Sequence, residues 1–379
     1  MPRRHRLPRR HRLPHLPAAL ALLALALALF VPSTQARREP PPAGPIFVDT
    51  DMGVDDALAV AWLLKQRDAN LVGFTSVFGN TSVDNATRNL LTILGAAGVQ
   101  KPITVGASEP LALPRTRTGS FIHGPDGLWF AQQPANISAL ATNAPAAIAA
   151  AARANHATTF IALGPLTNFA RAIQQYPQDL AGVRLVALAG GRHGNITPVA
   201  EFNVYADPEA LEVVLAGPMQ VELVTLDAFE DVTIDSARLV ERLSRRGGAV
   251  GQLLAAILPL YTQASTGGVG SEISLADPTA VIYALHGELG TPTSGLVRVI
   301  TGNGYARGQT IIADTVNGRI PMIADDAELS LLADQAFTPG FDINAAIGGV
   351  LARQPDNANV VLDVDENEIV RLLLRGFTR

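Results

Sequence analysis

Four aspartates stand in the eight-residue stretch Asp49-Thr50-Asp51-Met52-Gly53-Val54-Asp55-Asp56. Carboxylates this dense repel one another severely at a strand end unless a cation neutralises them. Oxygen ligands alone, with no cysteine in the chain and no histidine nearby, favour Ca2+ or Mg2+ over zinc. The run Ile46–Asp49 reads as a strand, and a helix begins near Asp55. Alternate strand residues point the same way, so Asp49 and Asp51 are expected to share a face. Asp55 and Asp56 fall at the positive end of the helix dipole, and Gly53 is expected to let the backbone turn sharply between the pairs. Helix capping accounts for one or two of these acids, not for four.

Such a cluster needs elements to hold it. After Gly44, short Val/Ile/Leu-rich runs at 46–49, 71–77, 103–105, 159–163, 183–189 and 221–226 alternate with helical patterns at 55–66, 83–97, 145–155, 167–175 and 207–215. Continuous apolar runs suit strands buried on both faces, and Asp84 and Thr167 supply capping chemistry at two helix starts. The alternation implies right-handed βαβ units. The expected fold class is α/β: one domain over 45–379 with a mostly parallel central sheet flanked by helices. From about 235 the pattern turns more helical (236–245, 251–263, 277–286), with a last short strand and helix near 360–375. Ligands of open α/β sheets bind beyond the carboxyl ends of the strands, where the acids fall.

The 379-residue chain is 48% hydrophobic and 17% charged, enough apolar material for a large core. Its first 36 residues hold six arginines and no acid, in a doubled PRRHRL ahead of an apolar run from Ala18 to Val31. That run is shorter than the roughly 20 residues that span a bilayer. Thr34-Gln35-Ala36 then offers small residues for cleavage. Residues 1–36 are expected to be a signal peptide and 37–44 a Pro-rich linker, giving a secreted or periplasmic protein without a stable membrane anchor. Taking those six arginines from the 29 basic residues leaves 23 against 34 acidic ones, a net charge of −11. So acidic a chain repels nucleic acid. The lack of cysteine excludes disulfides, thiolate metal sites and a cysteine nucleophile.

DTDMGVDDALAV (49–60) is similar to the DTDxGxDDAxA signature of the inosine-uridine preferring nucleoside hydrolases. VFGNTSVDNATRN (77–89), HGPDG (123–127), ALGPLTNFA (162–170), GNITPVAEFNVYADPEA (194–210), ADPTAV (276–281) and ARGQTI (306–311) follow in that family's order. The resemblance spans nearly all of 45–375. It implies hydrolysis of the N-glycosidic bond of a small-molecule ribonucleoside at a Ca2+ site made by Asp51, Asp56, Asp277 and the backbone carbonyl of Leu163. In that reading Asp51 looks like the general base that activates the metal-bound water, with Asp49 orienting the loop behind it. Asp55 resembles the carboxylate that holds the ribose 2-hydroxyl. Asn195 and Glu201 would meet the 5-hydroxyl, Asn203 the 3-hydroxyl, and Asn80 a further point on the sugar. Outside the family context, Asn80 beside Gly79 and Asn195 beside Gly194 would read as turn residues. The resemblance also implies a homo-oligomer, dimer or tetramer.

One position departs from the family pattern. Many members carry a histidine just before the last metal aspartate to protonate the leaving base, and here that residue is Ala276, which has no proton to give. His123 is a candidate base-side contact, and Trp129 and Tyr261 are candidates for stacking on the base; each reads as readily as packing. A haloacid-dehalogenase-like phosphatase also opens on strand-DxD. It would need Thr or Val where Gly53 stands and a late catalytic lysine, whereas the lysines are Lys65 and Lys101. A catalytically weakened, exported nucleoside- or ribose-binding protein is the stronger alternative. Ala276 favours it, and retention of every acid needed to activate water opposes it.

Overall fold

The structure is a computed structural model that describes residues 44–114 and 117–378. The expected signal peptide and residues 37–43 of the linker lie outside the described residues. The strands are β1 (Pro45–Thr50), β2 (Asn70–Ser76), β3 (Ile103–Val105), β4 (Thr159–Ala162), β5 (Arg184–Leu188), β6 (Gln220–Val224), β7 (Thr233–Asp235), β8 (Glu272–Ser274), β9 (Thr293–Val299), β10 (Thr310–Ala313) and β11 (Ala358–Val361). Nine of them form one sheet in the order β10-β9-β11-β6-β5-β4-β1-β2-β3, and β7 pairs with β8 apart from it. The seven strands from β11 to β3 run parallel. The direction of strand succession reverses between β1 and β4, the place where an open α/β sheet leaves a crevice.

Both faces of this sheet are covered, as continuous apolar strands require. Val48, Phe74, Ile161, Val186 and Val224 pack on one face with α1 (Val54–Leu64). Phe47, Phe160, Leu185 and Leu223 pack on the other with Phe169 and Ile173. The helices that matter to the site are α1, α2 (Val83–Ala97), α3 (Thr167–Gln175), α4 (Phe202–Ala206), α5 (Gly248–Ser265) and α6 (Ala276–Leu285). α1 and α6 are buried along most of their length, and each carries its aspartates in its first turn.

One expectation is incomplete and another needs correction. The region after 235 is mainly helical, as expected, but β9 and β10 also extend the sheet there, antiparallel to their neighbours. They are partly exposed and stand at one margin of the sheet, with β10 at its edge. Thr, Ser, Gly and Arg interrupt β9 and β10 is only four residues long, so they lack the continuous apolar signal of the central strands. The capping residues also differ. Ser82 caps α2 by accepting from Asn85 N at 3.2 Å, leaving Asp84 in the first turn. Thr167 caps nothing, and its hydroxyl donates to Asp207 at 2.6 Å.

Arg184 of β5 donates to both oxygens of Glu222 on β6 at 3.1 and 3.0 Å, and also to the carbonyl of Ala284 in α6. Tyr283 of α6 donates to the same carboxylate at 3.0 Å. Removing one partner of a buried ion pair is costlier than replacing both with apolar groups. Arg184→Met is expected to lower unfolding free energy by about 3–5 kcal/mol in urea denaturation. Arg184→Met/Glu222→Met should recover most of that loss.

Candidate active site

β1 ends at Thr50, so the direction of Asp51 is set by a turn rather than by strand alternation. Asp49 is turned to Thr75 and Asn168, whose side chains donate to its Oδ1 at 2.5 and 2.7 Å. Asp51 is turned to Asn80, accepting the backbone N–H at 2.7 Å and the side-chain Nδ2 at 3.2 Å. The two acids therefore have different hydrogen-bond partners.

The turn itself is strained at Met52, not at Gly53. Met52 is buried with φ of 32°, whereas Gly53 has φ of −82°. A non-glycine residue in the left-handed region costs about 1–3 kcal/mol and is kept only where its surroundings hold it. Asn89, on the buried side of α2, does so by donating to the Met52 carbonyl at 3.0 Å. Gly53 is needed for space. A Cβ there would lie 2.6 Å from His123 Nδ1 and 2.7 Å from Asn80 Nδ2.

α1 begins inside the cluster. Asp56 accepts from Gly53 N at 2.8 Å, closing the helix start, and from the Thr50 hydroxyl at 2.5 Å and Asn80 Nδ2 at 3.1 Å. Asn80 Nδ2 thus bridges Asp51 and Asp56. It braces two carboxylates. Asp55, one residue earlier, accepts from the Tyr261 hydroxyl of α5 at 3.2 Å. Its other oxygen lies 3.6 Å from His123 Nδ1, which itself accepts the Val54 N–H at 3.1 Å.

Asp55, Asp56 and Asp277 each present a carboxylate oxygen, and the three oxygens lie within 4.8 Å of one another. Asp277 comes from the first turn of α6 and is buried, and its Oδ1 has no hydrogen-bond partner. Among the described residues none of Asp51, Asp56 and Asp277 pairs with a lysine or arginine. The electrostatics follow from burial and like charge. Burial first, then Asp56, holds the Asp51 and Asp277 carboxyls well above the ordinary range. Burial, then Asp55, pushes Asp56 up to about 7. Burial likewise lifts Asp49 to about 7, and its Oδ2 is without a partner. Burial lowers the His123 pKa against the opposing pull of Asp55.

The remaining expected residues surround this centre. The Leu163 carbonyl, just past β4, accepts from Asn203 Nδ2 at 2.8 Å. Glu201 caps α4, accepting from Asn203 N and Val204 N, and it also accepts from Gly190 N; burial lifts its pKa to about 7. Asn195 is exposed, and its Oδ1 accepts from Phe202 N at 2.9 Å. Trp129 is half-buried at φ of 48°, with its indole N–H donating to the Ile122 carbonyl at 2.9 Å. Tyr261 lies beside His123, ring centroids 5.5 Å apart and planes tilted by 39°, and it joins the site through its hydroxyl on Asp55. Sequence reasoning missed Asn168, Thr75 and Asn89. Their signal was a polar residue on the buried side of a helix or strand, where each needs a specific partner.

The profile of the inosine-uridine preferring nucleoside hydrolases matches residues 46–371. A probable uridine nucleosidase 1 of Oryza sativa subsp. japonica is 31% identical over 274 residues, 70% of this chain and 84% of that one. The non-specific ribonucleoside hydrolase RihC of Escherichia coli is 33% identical over 278 residues, 71% of this chain and 88% of that one. Among solved structures, the plant nucleoside hydrolase PpNRh1 aligns with a TM-score of 0.72 at 25% identity, over 89% of this chain and 99% of that one. A purine-preferring ribonucleoside hydrolase from Gardnerella vaginalis shares the fold at a TM-score of 0.71.

Asp49 and Asp56 are raised from 3.8 to about 7, so their stabilising share is complete below about pH 4 and is lost as pH rises through 7. The ion-free protein should therefore melt at a lower temperature at pH 8 than at pH 5. Calcium should raise the melting temperature more at pH 8, where the acids are charged. Scanning calorimetry with chelator and with calcium checks both; an ion-free Tm that climbs from pH 5 to 8 would contradict this account of the cluster.

Proposed function

Because the chain belongs to the inosine-uridine preferring nucleoside hydrolase family and is a nucleoside hydrolase, we propose that it hydrolyses ribonucleosides to ribose and free base with Asp51 as general base and Ca2+ as the resident cation. One observation carries the reading. Asp55, Asp56 and Asp277 meet within 4.8 Å, the latter two buried, and one oxygen of Asp277 is left without a partner. The fit to a cation is chemical: a set of hard carboxylate oxygens, no sulfur, and a backbone carbonyl at Leu163 to complete it.

Asp51, Asp56, Asp277 and the Leu163 carbonyl would hold the ion. When bound, it neutralises these acids and lowers the pKa of a water held at the site. The other steps belong to the chain's own side chains. Asp51, anchored through both oxygens by Asn80, takes the proton of the attacking water. Asp55 is steadied by the Tyr261 hydroxyl for the ribose 2-hydroxyl. The surrounding carboxylates favour the positive charge that develops on the sugar as the base departs. A deoxyribonucleoside lacks the hydroxyl that Asp55 reads and should be a poor substrate. The leader at 1–36 would place this activity in the periplasm or outside the cell, and the protein would act as a homo-oligomer.

Ribose release from uridine and inosine, measured after chelation and again after calcium is restored, tests the reading. Activity is expected to vanish with chelation and return with calcium. Asp51→Asn should abolish turnover while leaving the melting profile intact; near-wild-type rates in that variant would end the mechanism. Ala276 donates no proton, and protonating a departing base contributes about 10²–10⁴-fold. The kcat/KM for p-nitrophenyl riboside, whose leaving group needs no proton, should therefore exceed that for uridine by about 10² or more. Uridine cleaved as fast as the nitrophenyl riboside would show that another acid serves.

A further inference from the structure

Asn203 was expected to bind the ribose 3-hydroxyl, yet both hydrogens of its side-chain amide are taken by backbone carbonyls. Nδ2 donates to Leu163 O at 2.8 Å and to Leu188 O at 2.9 Å. These carbonyls stand at the carboxyl ends of the neighbouring strands β4 and β5. An amide so occupied has no N–H for a sugar hydroxyl and can meet one only as an acceptor through Oδ1. The side chain is buried, and its backbone is fixed in turn: Asn203 N donates to Glu201 Oε1 at 2.8 Å, and Glu201 Oε2 accepts from Gly190 N at 3.0 Å.

Leu163 is held from both sides. Its N–H donates to the Asp49 carbonyl at 2.9 Å, and its own carbonyl receives Asn203. The next residue, Gly164, runs so close to Asp51 that a Cβ there would lie 3.0 Å from the Asp51 Cγ. A carbonyl oxygen has two lone pairs. With one committed to Asn203, the peptide plane is set and the other is left for a cation. We propose that Asn203 is a positioning residue for the cation, acting through the Leu163 carbonyl, which it aligns before any ion or nucleoside arrives. This inference rests on the cation reading above. It assigns Asn203 a role in metal affinity that a pure sugar contact would not have, and it ties the strand end that bears Leu163 to the α4 turn that bears Glu201.

The test is calorimetric titration of Ca2+ into the chelator-stripped full chain with no nucleoside present, for the unaltered protein, Asn203→Leu, Asn203→Ala and Asn195→Ala. Groups that orient a ligand typically govern affinity by about 10–100-fold. Both Asn203 variants should bind calcium weaker by about that factor, while Asn195→Ala, which does not touch Leu163, should bind it as the unaltered protein does. Asn203→Ala leaves room for water to satisfy the two carbonyls, so it guards against a folding failure in Asn203→Leu, and melting curves verify both. Unchanged calcium affinity in the Asn203 variants, with a raised KM for ribonucleoside, would overturn the proposal and leave a sugar contact only. An unaltered chain that binds no calcium would instead overturn the cation reading itself, and the proposal with it.

Discussion

The interaction on which the site depends is repulsion among buried like charges at the end of β1. Asp51, Asp56 and Asp277 are withdrawn from water; beyond that burial, the charge of Asp56 raises the pKa of Asp51 and Asp277, and that of Asp55 raises the pKa of Asp56. Among the described residues their environment supplies dipoles but no lysine or arginine partner. Asn80 braces Asp51 against Asp56, and Thr50 and the first turn of α1 satisfy Asp56. These neutral donors hold the carboxylates in place without cancelling their charge. An arginine in their midst would stabilise the fold and occupy the place of a cation.

Much of the nearby structure follows from crowding these acids together. Gly79 approaches Asp51 so closely that a Cβ would fall 1.9 Å from its Oδ2, and Gly53 is hemmed in by His123 and Asn80. The left-handed Met52 lets the chain leave β1 and enter α1 within three residues, and Asn89 holds it there. α1 directs the positive end of its dipole at the acids, as does α6 at Asp277. The sheet brings these elements together at its switch point between β1 and β4, where chain segments distant in sequence reach one crevice.

The central sheet was legible because its strands are short, continuous apolar runs; α2 and α3 begin and end where the sequence pattern predicts. β9 and β10 were not, since an antiparallel edge needs only partial burial and carries a weaker pattern. At the site, the sequence motifs named the acids, but local periodicity does not give their hydrogen-bond partners. Asp51 lies one residue past the end of β1, the strain sits at Met52, and Gly53 supplies space. The roles of Asn80 and Asn203 depend on partners 29 and 40 residues away, which no local pattern encodes. Ala276 was visible only as a departure from a family motif.

The claim at the centre of this account is that one cation neutralises the carboxylates gathered at the end of β1. The most direct measurement is a crystal structure grown in calcium with anomalous diffraction recorded at long wavelength. A single anomalous peak is expected, about 2.3–2.6 Å from oxygens of Asp51, Asp56, Asp277 and the Leu163 carbonyl. A site that stays empty at millimolar calcium, or an ion seated away from those four residues, would contradict it.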